Sequence, residues 1–152
     1  MKIVDLNVLL YAVNSDSAHH GVVKPAWEEM ASGDEEIGFA WSVLLGFLRL
    51  STSAAVFPRP LEPDDALGKI DEWLSLPSAR VVTETDEHWS ILRRLLRDSG
   101  TAGNLTTDAH LAALAIGRGA VLVSCDGDFS RFEGLRWENP LAPSRGRRRP
   151  RP

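Results

Sequence analysis

Short apolar segments alternate with longer segments of helical period, and this alternation restricts the fold more than any other feature of the chain. The apolar segments are residues 2–5 (KIVD), 36–41 (EIGFAW), 80–83 (RVVT) and 120–125 (AVLVSC), with a short fifth at 136–138. The spacing predicts a short helix over 6–13 and a second through Val23, Ala26, Trp27 and Met30, with Pro25 near its start. Further helices are expected over 42–53, which Gly46 interrupts, over 63–75 with Leu67, Ile70 and Leu74 on one face, and over 86–99 with Trp89, Leu92 and Leu96 inward. Residues 107–117 are apolar nearly all round, as a buried helix is. Strands alternating with helices imply an α/β fold: a central, mostly parallel sheet of four to five strands with helices on both faces. The unbroken apolar run at 120–125 suits a strand covered on both sides.

In such sheets ligands bind beyond the carboxyl ends of the strands. Asp5 ends the first strand, Asp126 follows the fourth with Asp128 close behind, and Asp108 falls in the first turn of the buried helix. Each acid also has a purely structural use. Asp5 can cap the helix at 6–13, Asp108 can favour its helix dipole, and Asp126-Gly127-Asp128 is a common turn sequence. Together, three segments bring acids to the same edge of one sheet. Clustered carboxylates repel one another unless they are protonated or bind a cation. An all-oxygen donor set favours Mg²⁺, with Mn²⁺ as a substitute, over zinc. That combination suits phosphodiester hydrolysis. An acidic-pocket phosphatase would use similar groups, but the first strand ends DLN without a second acid two residues on.

Composition narrows the classes further. The 152 residues are 43% hydrophobic and 25% charged, the values of one globular domain. Cys125 is the single cysteine, which excludes an internal disulfide and suits a reducing cytoplasm. No signal peptide or membrane span is expected. The net charge of −4 conceals an asymmetry. Residues 1–142 hold 12 basic and 21 acidic groups, a charge of −9, whereas 143–152 (PSRGRRRPRP) hold five arginines and no acid. The division is therefore a folded domain over 1–142 and a basic, disordered tail over 143–152. Arg145, Arg147, Arg148 and Arg149 in that tail are candidate phosphate-binding residues. Trp27, Trp73 and Trp89 are expected in the core, whereas Trp41 and Trp137 have no clear helical face.

Four segments, IVDLNVLLYA, GNLTTDAHLAALA, LVSCDGDFSRF and LRWENPL, resemble PIN-domain proteins in their combination and order. More narrowly, they resemble the VapC toxins of bacterial toxin–antitoxin pairs, over about residues 1–142. The resemblance implies a three-layer α/β/α fold and a Mg²⁺- or Mn²⁺-dependent endoribonuclease, usually dimeric and held inactive by a cognate VapB-like antitoxin. It assigns Asp5, Asp108 and Asp126 as catalytic and metal-holding acids, with Asp128 as an accessory ligand. It further implies that Asn7 braces the carboxylates, that Thr106 or Thr107 caps the helix of Asp108, and that Asn104 lies near the pocket.

One departure stands out. The family commonly carries E-x-x-R in the helix after the second strand. Here the arginine is present as Arg49, but Gly46 takes the glutamate position. Arg49 is a candidate for neutralising substrate phosphate or pairing with a site acid. Gly46 motivates an alternative reading, a catalytically weak protein that binds RNA or antitoxin.

Overall fold

The computed structural model describes residues 1–142, so the basic tail and its candidate arginines lie outside the described residues. Five strands form one sheet: β1 (Lys2–Val4), β2 (Ile37–Ala40), β3 (Ala79–Val82), β4 (Val121–Val123) and β5 (Arg136–Glu138), in the order β3-β2-β1-β4-β5. Every pairing is parallel. Six helices surround it: α1 (Leu6–Val13), α2 (His20–Ala31), α3 (Trp41–Ser51), α4 (Pro63–Leu74), α5 (His88–Ser99) and α6 (Thr106–Gly117). Right-handed crossovers put α1 to α4 on one face and α5 and α6 on the other. The contacts agree: α1 packs on α2 and α3, α3 on α4, and α5 on α6.

The local causes are readable. Asp5 caps α1 through its side chain, which accepts a hydrogen bond from Leu6 N at 2.7 Å. Pro63 opens α4, with Asp64 and Asp65 in its first turn, where the helix dipole favours negative charge. Gly100, at φ +70°, ends α5 in the left-handed conformation that costs glycine least. α6 buries Ala109, Leu111, Ala112, Ala113, Leu114 and Ala115, so nearly its whole circumference is core. On the other face an aromatic cluster forms: Trp73 lies 4.7 Å from Phe47 and 5.8 Å from Trp27, centroid to centroid.

Several expectations shift. Residue 41 begins α3 rather than ending β2. Pro25 is the sixth residue of α2, in its second turn, at the loss of one helical hydrogen bond. Leu67 faces outward from α4, which buries Ala66 and Trp73 instead. Trp89 is 68% exposed, not core; α5 turns Leu95 inward, with Ile91, Leu92 and Leu96 partly covered. Neither Thr106 nor Thr107 caps α6: the cap residue is Leu105, with no side-chain bond, and both threonines lie inside the first turn. No helix of the described residues is long and apolar enough to cross a membrane.

Candidate active site

The parallel register brings β1 and β4 side by side, and the backbone N–H of Asp5 continues their ladder by donating to Val123 O at 2.9 Å. Asp5 and the turn after β4 therefore share one edge of the sheet. The Asp5 carboxylate is held at several points. Its Oδ1 accepts from Leu6 N, and its Oδ2 accepts from Asn7 Nδ2 at 2.8 Å and from Ser124 Oγ at 2.6 Å. Asn7 reaches across as well, donating to Ser124 Oγ and accepting from Cys125 N at 3.0 Å. Ser124 Oγ also accepts from Asp126 N at 3.0 Å. One fully buried hydroxyl thus ties Asp5 to the backbone that presents Asp126. Asp126 in turn caps the 3₁₀ turn Gly127–Arg131, accepting from Asp128 N at 2.8 Å.

The acids interact through their charges. Burial raises the Asp5 pKa, and the charge of Asp126 adds to that rise, against the bonds from Ser124, Leu6 and Asn7. Asp108, half-buried in the first turn of α6, is raised from 3.8 to about 6, first by burial and then by Asp5, Asp126 and Asp128. Arg131 opposes that rise and pairs with Asp128 at 3.2 Å. Burial, followed by the Asp5 charge, pushes the Cys125 thiol to about 11, so it stays protonated and is a poor nucleophile.

Among the described residues, no three His, Cys, Asp or Glu side chains stand close enough to cage a metal. The donor set still fits a hard, hydrated cation. Burial first, and then the charge of neighbouring acids, push Asp5 and Asp108 toward protonation, and a cation would offset that charge repulsion. Magnesium keeps several waters and needs only one or two carboxylates from the protein.

The remaining candidates separate. Asn104 is exposed in the 3₁₀ turn Gly103–Leu105 that leads into α6, close in sequence to Asp108. Arg49 is exposed in the last turn of α3, and among the described residues it pairs with no site acid. His110 meets His88 Nε2 through its Nδ1 at 2.9 Å and lies 3.8 Å from Glu84 through its Nε2. Gly46 is buried, and a Cβ there would stand 2.8 Å from a Leu6 methyl group. Leu6 therefore fills the space a side chain at that position would need. A cavity of about 410 Å³ is lined by Lys2, Val8, Trp27, Met30, Val123 and Pro140 among others, and none of the four acids lines it. Sequence reasoning missed Ser124 and Arg131. Serine at a strand end signals nothing until the neighbouring strand is known, whereas Arg131 was visible as the last residue of DFSR.

Known proteins share the sequence pattern and the fold of this chain. The PIN domain family matches residues 2–135. Ribonuclease VapC37 of Mycobacterium tuberculosis is 52% identical over 145 residues, covering 93% of this chain and 99% of that protein. Ribonuclease VapC33 of the same species is 42% identical over 141 residues, with 93% and 99% covered. The crystal structure of VapBC2 from Rickettsia felis, bound to a DNA fragment from their promoter, matches with a TM-score of 0.67 at 22% identity, over 91% of this chain and 97% of that one. The structure of M. tuberculosis VapC20, described as a sarcin–ricin loop cleaving toxin, matches with a TM-score of 0.63 at 24% identity, over 90% and 99%. Nearly the whole described chain is covered in each case, and the chain belongs to the PIN-domain family, among its VapC members.

Proposed function

We propose that this protein is a Mg²⁺-dependent endoribonuclease toxin of the VapC kind, neutralised by a VapB-like antitoxin. The observation that carries the reading is the acidic edge itself: Asp5 locked by Ser124 and Asn7 and coupled by charge to Asp126 and Asp108, with Asp128 coupled to Asp108. Asp5 and Asp108 would hold the cation, with Asp126 and Asp128 joining directly or through water. Mn²⁺ would substitute for Mg²⁺. When bound, such an ion activates water and stabilises charge on phosphate. The protein's own part is positioning. Asn7 and Ser124 leave Asp5 little freedom, and the Asp126 carboxylate is set by the turn it caps. A water oxygen then attacks phosphorus, the P–O3′ bond breaks, and the products are a 5′-phosphate and a 3′-hydroxyl.

The partners follow the same reading. The antitoxin is supported by the VapBC complexes among the structural neighbours. RNA is the substrate, and the tail residues Arg145, Arg147, Arg148 and Arg149 add affinity for its phosphates. A homodimer and a cytoplasmic setting complete the proposal.

A second reading, a catalytically weak binding protein, is favoured by one observation. The helix after β2, WSVLLGFLRLS, holds no carboxylate, and Leu6 occupies the space beside Gly46 where the family glutamate would start. RNA cleavage by protein freed of any partner, with Mg²⁺, with Mn²⁺ and with EDTA, decides between them. Metal-dependent cleavage that disappears in both Asp5→Asn and Asp108→Asn supports the nuclease. Folded, metal-loaded protein that leaves mixed cellular RNA intact supports the binding protein.

A further inference from the structure

Trp41 is 53% exposed although it opens a helix whose neighbours Val43, Leu44, Phe47 and Gly46 are buried. Leu45, one turn further on, is exposed as well, so the outward face of α3 begins with an uncovered apolar stripe. An exposed indole forgoes much of the stabilisation that burying a large aromatic ring provides. Its position gives it a use. Lys2 pairs with Ile37 and Ile3 with Gly38, so the same register sets Asp5 opposite Ala40, the last residue of β2. Trp41 follows directly. It is the first residue of α3, directly after the β2 position opposite Asp5, at the carboxyl edge that holds the acids. One strand spacing and one residue step, about 4.8 Å and 3.3 Å, separate the two positions along the backbone. That is within the reach of a single nucleotide.

The charge of the body makes such a contact useful. Residues 1–142 carry −9, which opposes a polyanion approaching this edge. Stacking of bases on aromatic rings supplies affinity that needs no positive charge and tolerates any base. We propose that Trp41 is a stacking platform for an unpaired base of single-stranded RNA, next to the phosphate held at the Asp5 edge. The inference rests on the nuclease reading and adds to it a residue that binds substrate. The second exposed indole, Trp89, begins α5 after β3, two strands from β1 in the sheet order. It offers the same chemistry too far along the edge to serve that nucleotide.

The test uses full-length Asp108→Asn protein, which binds without cutting, and a short single-stranded RNA carrying 2-aminopurine, whose fluorescence falls on stacking. Trp41→Ala is expected to weaken binding about tenfold and to abolish the quenching, while Trp41→Phe keeps most of both. Trp89→Ala is expected to bind like the parent. In the cleaving protein, Trp41→Ala raises KM and leaves kcat within about twofold. Because the indole is exposed, thermal unfolding of Trp41→Ala should match the parent. Unchanged binding and quenching in Trp41→Ala overturn the proposal. Equal weakening by Trp89→Ala overturns it too, because the effect is then a general loss of apolar surface. So does weakened binding together with a halved molar mass by light scattering, which places Trp41 between two copies of the chain. If the wild type cuts RNA and Trp41→Ala binds it normally, only this inference falls. If the wild type neither cuts nor binds RNA, the nuclease reading falls with it.

Discussion

Ser124 Oγ donates to Asp5 Oδ2 at 2.6 Å, and this bond joins the ends of two neighbouring strands through side chains alone. Ser124 is fully buried, and its hydroxyl also accepts from Asn7 and from the backbone N–H of Asp126. Removing it frees Asp5 on one side and leaves the Asp126 N–H without its acceptor. A hydrogen bond to a charged group contributes about 1.5–3 kcal/mol, so Ser124→Ala should lose stability in that range. Groups that orient a metal ligand typically account for about 10- to 100-fold in metal affinity, so Mg²⁺ binding by calorimetry should weaken to that extent. Ser124→Ala with unaltered Mg²⁺ affinity would show that Asn7 and Leu6 N hold Asp5 by themselves.

The acidic edge should make metal-free protein sensitive to pH. The Asp108 pKa is raised from 3.8 to about 6, first by burial and then by its acidic neighbours. A raised pKa means that the folded state binds this proton more tightly than the unfolded chain does. The stabilisation is therefore complete below the usual carboxylate pKa and is lost as pH rises through about 6. In EDTA, Tm should fall between pH 4 and pH 7, and Asp108→Asn should flatten that fall. Mg²⁺ should restore Tm at neutral pH by mass action in the wild type and much less in the variant. A Tm profile in EDTA that is the same for both proteins would mean that Asp108 is not coupled to its neighbours.

Gly46 makes a separate prediction about packing. A Cβ there meets a Leu6 methyl group at 2.8 Å, with no backbone atom in the way. Gly46→Ala gains about 1 kcal/mol of helix propensity and incurs about 1–3 kcal/mol of overpacking unless Leu6 turns aside. The single variant should therefore be neutral to about 2 kcal/mol less stable. In a Leu6→Ala background the same change should become stabilising. The two effects would then be non-additive in denaturant unfolding, as expected for residues in contact. Strict additivity would separate Gly46 from Leu6.

Much of this edge was legible in the sequence because strands announce themselves by their apolar runs and the acids follow them directly. Asp5 after KIV and Asp126 after LVSC needed only the rule that ligands meet the carboxyl ends of parallel strands. What stayed hidden depended on contacts between elements. Ser124 acquires its role only when β4 lies beside β1. Gly46 was visible as a missing glutamate, but its occupation by Leu6 requires α3 packed on α1. Trp89 matches the helical spacing of Leu92 and Leu96, yet in the first turn of α5 it is His88 that packs on α6, through His110, and Trp89 is left exposed. The resemblance implies Thr106 or Thr107 as the cap, yet the 3₁₀ turn Gly103–Leu105 runs directly into α6 and shifts the cap to Leu105.

The aromatic cluster on the α1–α4 face should dominate global stability. Trp73 is buried and touches Trp27, Phe39 and Phe47, which joins α4 to α2, β2 and α3. Trp73→Ala leaves a cavity where three elements converge and should destabilise by about 3–5 kcal/mol. Trp89→Ala, at an exposed ring, should stay within about 0.5 kcal/mol of the wild type. Equal losses in denaturant unfolding would contradict the assignment of Trp73 to the core and Trp89 to solvent.

The basic tail and the acidic body make opposite contributions to RNA binding, and salt separates them. Residues 143–152 carry five arginines, and the rest of the chain carries −9. Each single-strand phosphate neutralised by an arginine adds about 0.7 to the slope of log K against log salt. Removing residues 143–152 should therefore weaken RNA binding at low salt and flatten the slope by about 0.7 for every arginine that engages phosphate. The two proteins should converge in affinity as salt rises, because stacking and hydrogen bonds at the acidic edge do not depend on released counterions. An unchanged slope after truncation would remove Arg145, Arg147, Arg148 and Arg149 from the binding surface and leave the folded domain to hold RNA by itself.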